Sequence, residues 1–372
     1  MASVRPRVAV ISTAQTELRP AWDGLQHVDL IGTAVTRALK GSGLTMRDVD
    51  FVIDCGSDVL DGRSISNCGF LGAMGGHHKE ESRVEDDGLW GALYATTKLR
   101  SGPASVGLVI AYSKASESDV ASFYSTLCDP FYQRPVGLTH LVASGLAARE
   151  YLAKTGVTEH DLAYAAAADW ARALDNPWVH LDEVPDVDAI ASAPFVASPL
   201  RRHQVSRQVD GAVAVLFATE DVARRVTSTP VWVTGLGASM DSQMLCERRP
   251  GEFEACAAAA AQAYRSAGIT DPSTFGIAEV SAVSIAEELM VIEALGLAAP
   301  GQASKVYGAD SPVAVNLSGG ALPADPIMAT GLVRLSEAAR ALRAGSGTSG
   351  QAVVHGSSGI GMQNHCVVTL EV

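Results

Sequence analysis

The sequence predicts an α/β protein made of two similar halves, with an extra subdomain inserted into the first. Three observations carry this. Short apolar runs of strand length alternate with helical periodicities, the pattern of βαβ units around a largely parallel sheet. The order of elements in the first half returns in the second. Roughly a hundred residues separate two consecutive core strands of the first half, too many for a plain loop.

In chain order, residues 8–11 read as a short buried strand and 30–39 as a helix stopped by Gly41 and Gly43. Residues 49–53 form the next strand, Val84 ends another, 88–99 are helical and 106–111 are again a strand. The closing strand of this half is 213–217. Between those last two strands, 138–152 and 159–174 have helical spacing, so an inserted subdomain occupies about 113–208. In the second half, 231–234 match 8–11, and Gly268-Ile269-Thr270 echoes Gly43-Leu44-Thr45. Gly331-Leu332…Leu342-Arg343-Ala344-Gly345 echoes Gly88-Leu89…Leu99-Arg100-Ser101-Gly102 at the same offset. The duplication divides the chain into 1–225 and 226–372.

Composition narrows the function. Of 372 residues, 47% are hydrophobic and 19% charged, as in a globular protein with a large core. Net charge is −13 with no Lys/Arg run, which argues against nucleic acid and anionic membranes as partners. Six cysteines are scattered without a Cys-x-x-Cys pair, against a structural zinc or a disulfide scaffold. His77 and His78 are adjacent and alternate faces if extended; with no third ligand beside them, no metal is expected. Residues 1–7 contain no signal-peptide core and no apolar run approaches membrane-spanning length, so a cytoplasmic protein is expected.

The most informative stretch is 316–331, Asn-Leu-Ser-Gly-Gly-Ala-Leu-Pro-Ala-Asp-Pro-Ile-Met-Ala-Thr-Gly. The apolar residues 313–315 lead in as a buried strand, and Gly319-Gly320 permit a sharp turn. Leu332, Leu335, Ala338, Ala339 and Leu342 then form a helical stripe. A glycine-rich passage from strand to helix is either a tight turn or a place where free N–H groups meet an anion or enolate.

Asn316, Gly319, Gly320, Pro326, Ala329, Thr330 and Gly331 resemble the thiolase signature, in which Asn-x-x-Gly-Gly leads to Gly-His-Pro and Ala-Thr-Gly or Ala-Ser-Gly. Asp210-Gly211-Ala212 before an apolar strand is a second superfamily marker. Arg149-Glu150-Tyr151, Gly156-Val157-Thr158-Glu159, Ser198-Pro199-Leu200 and Glu293-Ala294-Leu295-Gly296-Leu297 are similar to the sterol-carrier-protein, or lipid-transfer-protein, type of thiolase. The resemblance covers nearly the whole chain. It implies the thiolase fold: duplicated βαβαβαββ halves in a layered α/β/α/β/α core with an inserted loop subdomain. It also implies a coenzyme A thioester as substrate, with no covalently bound cofactor.

The catalytic positions of that family depart from its pattern. Glu85-Asp86-Asp87-Gly88 stands for Cys-x-Ser-Gly, which puts Glu85 at the nucleophile, as a general base or a helix cap. Ser281-Ala282-Val283-Ser284 replaces His-Asp-Cys-Phe, and Asp325 replaces the histidine of Gly-His-Pro. The final Cys-x-Gly corresponds to 357–361, with Ser357 and Gly359, while Cys366 reads as core. His355 and Tyr307 are further acid/base candidates, each also readable as structural. Tyr124, Phe131 and Tyr132 read as core or as an acyl-pocket lining.

Glu85, Asp325 and His355 are therefore the candidate catalytic residues, and Ser281, Asn316, Gly319, Gly320, Ser357, Gly359 and Tyr307 the candidate binding residues. Glu85 and Asp325 are expected to face each other. Without the cysteine, thiolysis by the thiolase route is lost. The resemblance then implies a retro-aldolase or lyase on β-hydroxyacyl-CoA, or an accessory role, in lipid or steroid side-chain degradation. The alternatives are a non-catalytic subunit paired with an active chain, and residual acyl transfer. Implied partners are a second thiolase-like chain, identical or not, joined through the strand ending at Val84, and a small OB-fold, zinc-ribbon chain.

Overall fold

The computed structural model describes residues 6–372; the reading of the lead-in over 1–7 falls, up to residue 5, outside the described residues. The first half runs β1 (Val8–Gln15), α1 (His27–Ser42), β2 (Phe51–Cys55), α2 (Asp58–Asp61), α3 (Asn67–Met74), β3 (Glu80–Val84), α4 (Gly88–Ser101) and β4 (Val106–Ser113). The insertion carries α5 (Val120–Thr126), α6 (His140–Thr155), α7 (Glu159–Ala173), α8 (Val187–Ser192) and a ribbon of β5 (Phe195–Ala197) and β6 (Leu200–Arg201). The half closes with β7 (Gly211–Thr219) and α9 (Glu220–Val226). The second half runs β8 (Val231–Met240), α10 (Glu254–Ala267), β9 (Ile277–Glu279), α11 (Ile285–Ala294), β10 (Ala314–Val315), α12 (Thr330–Arg343), β11 (Gln351–Ser358) and β12 (Asn364–Glu371).

Among the described residues, ten strands join in one sheet of order β10-β9-β11-β12-β8-β1-β7-β4-β2-β3. The order is palindromic about the antiparallel β8–β1 pair, where Val8 faces Val233 and Val10 faces Val231. Outward from β1 come one antiparallel neighbour, a second antiparallel pairing, then two parallel ones; outward from β8 the same sequence recurs. The repeat of this order begins at β8, the element after α9. Part of the sequence echo has a local cause as well. Gly43 and Gly268 each end a helix at φ +72° and +73°, a conformation that costs a glycine little.

Alternation along the strands separates the layers. Val8, Val10, Ile53, Val109, Val213 and Val215 from the first half, and Val231, Ile277, Ala352, Val354 and Val368 from the second, enclose α4 and α12. The opposite face of the first half packs under α1 and α9. The opposite face of the second half packs under α10, α11 and the inserted α6 and α7. The result is the five-layer α/β/α/β/α core. Gly88 and Gly331 begin the two central helices. A Cβ at Gly88 would lie 2.6 Å from Leu332 Cβ, and one at Gly331 2.1 Å from Asp87 Oδ1. The paired glycines are what lets the two helices meet at their N-terminal ends.

Candidate functional site

The meeting point of α4 and α12 organises the site. Asp87 is the N-cap of α4, and its Oδ1 accepts the Leu89 N–H at 2.9 Å. Its Oδ2 accepts the Gly331 N–H of α12 at 2.8 Å, so one carboxylate caps both helices. The Gly88 N–H donates to the Met328 carbonyl at 2.7 Å and closes the junction. Burial pushes the Asp87 carboxyl up to about 7, against the Gly331 and Leu89 N–H groups, with the Asp86 and Asp325 charges adding to the rise.

A cavity of about 60 Å³ opens beside this junction. Its polar lining is Asp87, Tyr124, Ser281, Asp325, Thr330, Ser357 and Ser358; Phe123, Leu127, Ile327, Met328 and Met362 supply an apolar wall. Met328 and Met362 hold φ of +71° and +51°, uncommon for side chains of their size. Asp325 is held from both sides. Thr330 Oγ1 donates to its Oδ1 at 2.5 Å and Ser206 Oγ to its Oδ2 at 2.7 Å. Its backbone bridges to the strand-like 207–209 segment, where Asp325 N donates to Arg207 O and Val209 N to Asp325 O. Burial raises the Asp325 carboxyl, opposed by the Thr330 and Ser206 hydroxyls and by Arg334. Ser281 and Ser357 present hydroxyls 3.5 Å apart. Tyr124 stacks on His140 with ring centroids 3.8 Å apart. Burial raises its phenol above the ordinary range, helped by the Asp325 and Glu287 charges.

Four of the ten residues singled out from the sequence line this cavity: Asp325, Ser281, Ser357 and Gly359. The other six lie elsewhere. Glu85 is exposed, accepts the Asp58 N–H at 2.6 Å and pairs with Arg83 at 3.0 Å. The acidic residue of that loop beside Asp325 is Asp87, whose side chain is drawn in by the Leu89 and Gly331 N–H groups of the two helix starts. His355 is fully buried behind the wall against His365, at 3.0 Å. Tyr307 is buried in the outer layer and donates its phenolic hydrogen to Glu288. Asn316 is buried at φ +45°, and its Oδ1 accepts the Val280 N–H at 2.8 Å. Gly319 and Gly320 turn at φ +95° and +68°, but their N–H groups go to Asn316 O and Ser318 Oγ, so they are local turn bonds and not enolate donors. Of the three aromatics, Tyr124 reaches the cavity, whereas Phe131 and Tyr132 are 79% and 72% exposed, neither core nor lining.

Sequence reasoning gave no site role to Asp87, Ser206 or Thr330. A signal existed for the first: Asp immediately before Gly-Leu at a helix start is a preferred N-cap. None existed for Ser206, which comes from the insertion and meets Asp325 only in three dimensions. Cysteine is absent from the cavity lining among the described residues. Cys68 and Cys246 are exposed; Cys55, Cys128, Cys256 and Cys366 are buried. Iodoacetamide is therefore expected to label Cys68 and Cys246 first and to leave CoA-thioester binding unchanged. Stoichiometric labelling of one cysteine with parallel loss of binding, followed by mass spectrometry and titration, would place a reactive thiol in the site and overturn this.

Residues 237–371 match the family model described as thiolase C-terminal domain-like. Over 96% of its length the chain is 27% identical to an acetyl-CoA acetyltransferase of Methanothermobacter thermautotrophicus, covering 95% of that protein. It is 25% identical to a 17-hydroxy-3-oxo-4-pregnene-20-carboxyl-CoA lyase of Mycobacterium tuberculosis, over 91% of this chain and 85% of the other. Among solved structures, the Ltp2-ChsH2(DUF35) aldolase superposes with a TM-score of 0.82 at 20% identity, covering 99% of each chain. With the five-layer core and the Asn-x-x-Gly-Gly loop already in place, these likenesses support a thiolase-superfamily protein of the sterol-carrier-protein thiolase-like kind.

Proposed function

We propose that this protein binds the coenzyme A thioester of a β-hydroxyacyl group and cleaves its Cα–Cβ bond by a retro-aldol route. One observation carries the reading. A buried carboxylate, Asp325, lines the cavity together with hydroxyl donors, and the lining holds no cysteine among the described residues. In the reaction, the Asp325 carboxylate takes the β-hydroxyl proton and the Cβ–O bond becomes a carbonyl. The Cα–Cβ electron pair moves into the thioester as an enolate, and a proton returned to Cα completes the shortened acyl thioester. The ketone or aldehyde leaves. Ser281 and Ser357 hydroxyls and the Tyr124 phenol are the donors for the enolate oxygen. Thr330 and Ser206 hold Asp325 in place. The lyase and aldolase names of two similar proteins support this class. Acyl transfer through a thioester-forming cysteine lacks its nucleophile here.

The narrow cavity and the clustered carboxylates Asp86, Asp87 and Asp325 favour a second reading, a subunit that binds the thioester and acts only beside a partner. The assay separates the two. The purified chain, alone and with a small partner of the DUF35 kind named in the similar aldolase, is incubated with β-hydroxyacyl-CoA thioesters. Release of carbonyl product equimolar with shortened acyl-CoA is expected. Binding without release in both mixtures would overturn the lyase. No helix of the described residues is long and apolar enough to cross a membrane, and we place the reaction in the cytoplasm.

The sheet edge at β3 supports a dimer. The strand is terminal in the sheet and only half-buried beyond Glu80, so it offers unpaired backbone groups to a second thiolase-like chain. Light scattering at micromolar concentration is expected to give twice the chain mass, or the mass of a heterodimer with the related chain. A stable monomer under both conditions would remove the idea.

A further inference from the structure

We infer that His355, His365 and Cys256 form a buried binding site for a soft d10 metal ion, Zn(II) or Cu(I), directly behind the cavity wall. The three residues share no local spacing and come from β11, β12 and α10. In the β11–β12 ladder Ser357 faces His365 and His355 faces Val367, so both rings alternate onto the side of the sheet that packs against α10. Cys256 is on the buried face of α10. One donor atom from each residue lies within 4.8 Å of the other two, and all three residues are fully buried. His355 Nε2 and His365 Nδ1 are 3.0 Å apart. Two nitrogens bound to one zinc at about 2.0–2.1 Å sit about 3.3 Å apart at a tetrahedral angle, so loading asks for a shift of only a few tenths of an ångström.

The hydrogen-bond inventory points the same way. Without an ion, one ring must donate from its inner nitrogen to the other. That leaves a bare lone pair on one outer nitrogen and an N–H on the other. Neither outer nitrogen, His355 Nδ1 or His365 Nε2, has a hydrogen-bond partner. Unpaired buried polar atoms of this kind are uncommon. With an ion, both inner lone pairs are used and both outer nitrogens carry hydrogen. The Ser281 and Met362 backbone lies beside the two rings and favours added protons there, though short of hydrogen-bond geometry. The Cys256 thiol is raised by burial. Binding therefore forms two N–metal bonds and one S–metal bond and releases the thiol proton to solvent. The thiolate offsets the ion beside Arg248, whose charge reaches His365. Two imidazoles and a thiolate suit soft, nitrogen- and sulfur-seeking ions and not Mg(II) or Ca(II).

The sequence reading expected no metal because it weighed only local spacing, at His77-His78 and among the cysteines. The test uses the full chain, stripped with chelator and then given Zn(II), Cu(I) under anaerobic reducing conditions, or Co(II) as a reporter. Retention of one equivalent of Zn(II) or Cu(I) through desalting is expected, with a raised thermal midpoint; which ion is retained identifies it. Co(II) should give a thiolate charge-transfer absorption. Cys256→Ser should abolish that band and lower retention by about tenfold or more, whereas the double variant His77→Ala, His78→Ala should keep both. Failure of the wild-type chain to retain any of the three ions, or retention without the thiolate band, overturns the site, whether or not Cys256→Ser folds.

Discussion

Replacing Asp325 with Asn is expected to lower turnover of a β-hydroxyacyl-CoA by about 10²-fold or more, with the fold and thioester binding retained. The side chain lines the cavity, and its two oxygens accept from Thr330 and Ser206 hydroxyls. Hydroxyls rotate, so an amide can accept from one and donate to the other, and the geometry survives the substitution. What is lost is the negative oxygen that takes the substrate proton. The pH profile gives a second readout. Burial raises the Asp325 carboxyl, so the proton-accepting form is gained as pH rises through that elevated value. The acidic limb of wild-type turnover should therefore lie above the ordinary carboxylate range and be absent from the Asn variant. Glu85→Gln, at an exposed residue outside the cavity, should leave turnover unchanged. Equal turnover of wild type and Asp325→Asn would end the carboxylate mechanism.

The largest effect on stability is expected at Arg334. This guanidinium is fully buried in α12, 3.2 Å from Glu279 of β9, and it donates to Ser318 Oγ at 2.5 Å. Ser318 in turn donates its Oγ hydrogen to Glu279 at 2.6 Å and its N–H at 3.1 Å. The triad ties the Asn316–Gly320 loop to the sheet and to the central helix. Burial already raises the Glu279 carboxyl, and the Arg334 charge is the main force opposing that rise. Removing the guanidinium by Arg334→Met leaves a buried carboxyl without its counter-charge, a change that costs about 3–5 kcal/mol. Glu279→Gln in the Arg334→Met background should recover much of that loss by removing the orphaned charge. Denaturant unfolding of the wild type, the single variant and the double variant measures it. A loss below about 1 kcal/mol for Arg334→Met would mean that the triad is not what holds the loop.

Element types and their order were legible in the chain because alternation and helical spacing are local properties. The helices read at 88–99 and 159–174 form as Gly88–Ser101 and Glu159–Ala173, and the strand read at 106–111 forms as Val106–Ser113. The duplication was legible too. Its paired Gly-Leu starts reflect a real close approach of two helices, and its paired helix-end glycines reflect left-handed caps. Asp325, Ser281, Ser357 and Gly359 could be named because the signature loops carry them to the same cavity.

Direction and partnership were not legible. Glu85 and Asp87 are two residues apart in one acidic run, and only the turn into α4 sends one outward to Arg83 and the other between two helix N-termini. His355 looked like a pocket residue because Gly356–Gly361 follow it, yet strand alternation puts its ring on the α10 side, against His365 and Cys256. Tyr307 precedes the signature strand by a few residues, but its phenol is spent on Glu288. Local patterning determined which residues belong to which elements. Side-chain facing and pairing across 55 to 322 positions, as in Arg334 with Glu279 and Gln15 with Glu337, were decided by tertiary packing, because a buried polar group takes whichever partner the closed core brings within reach.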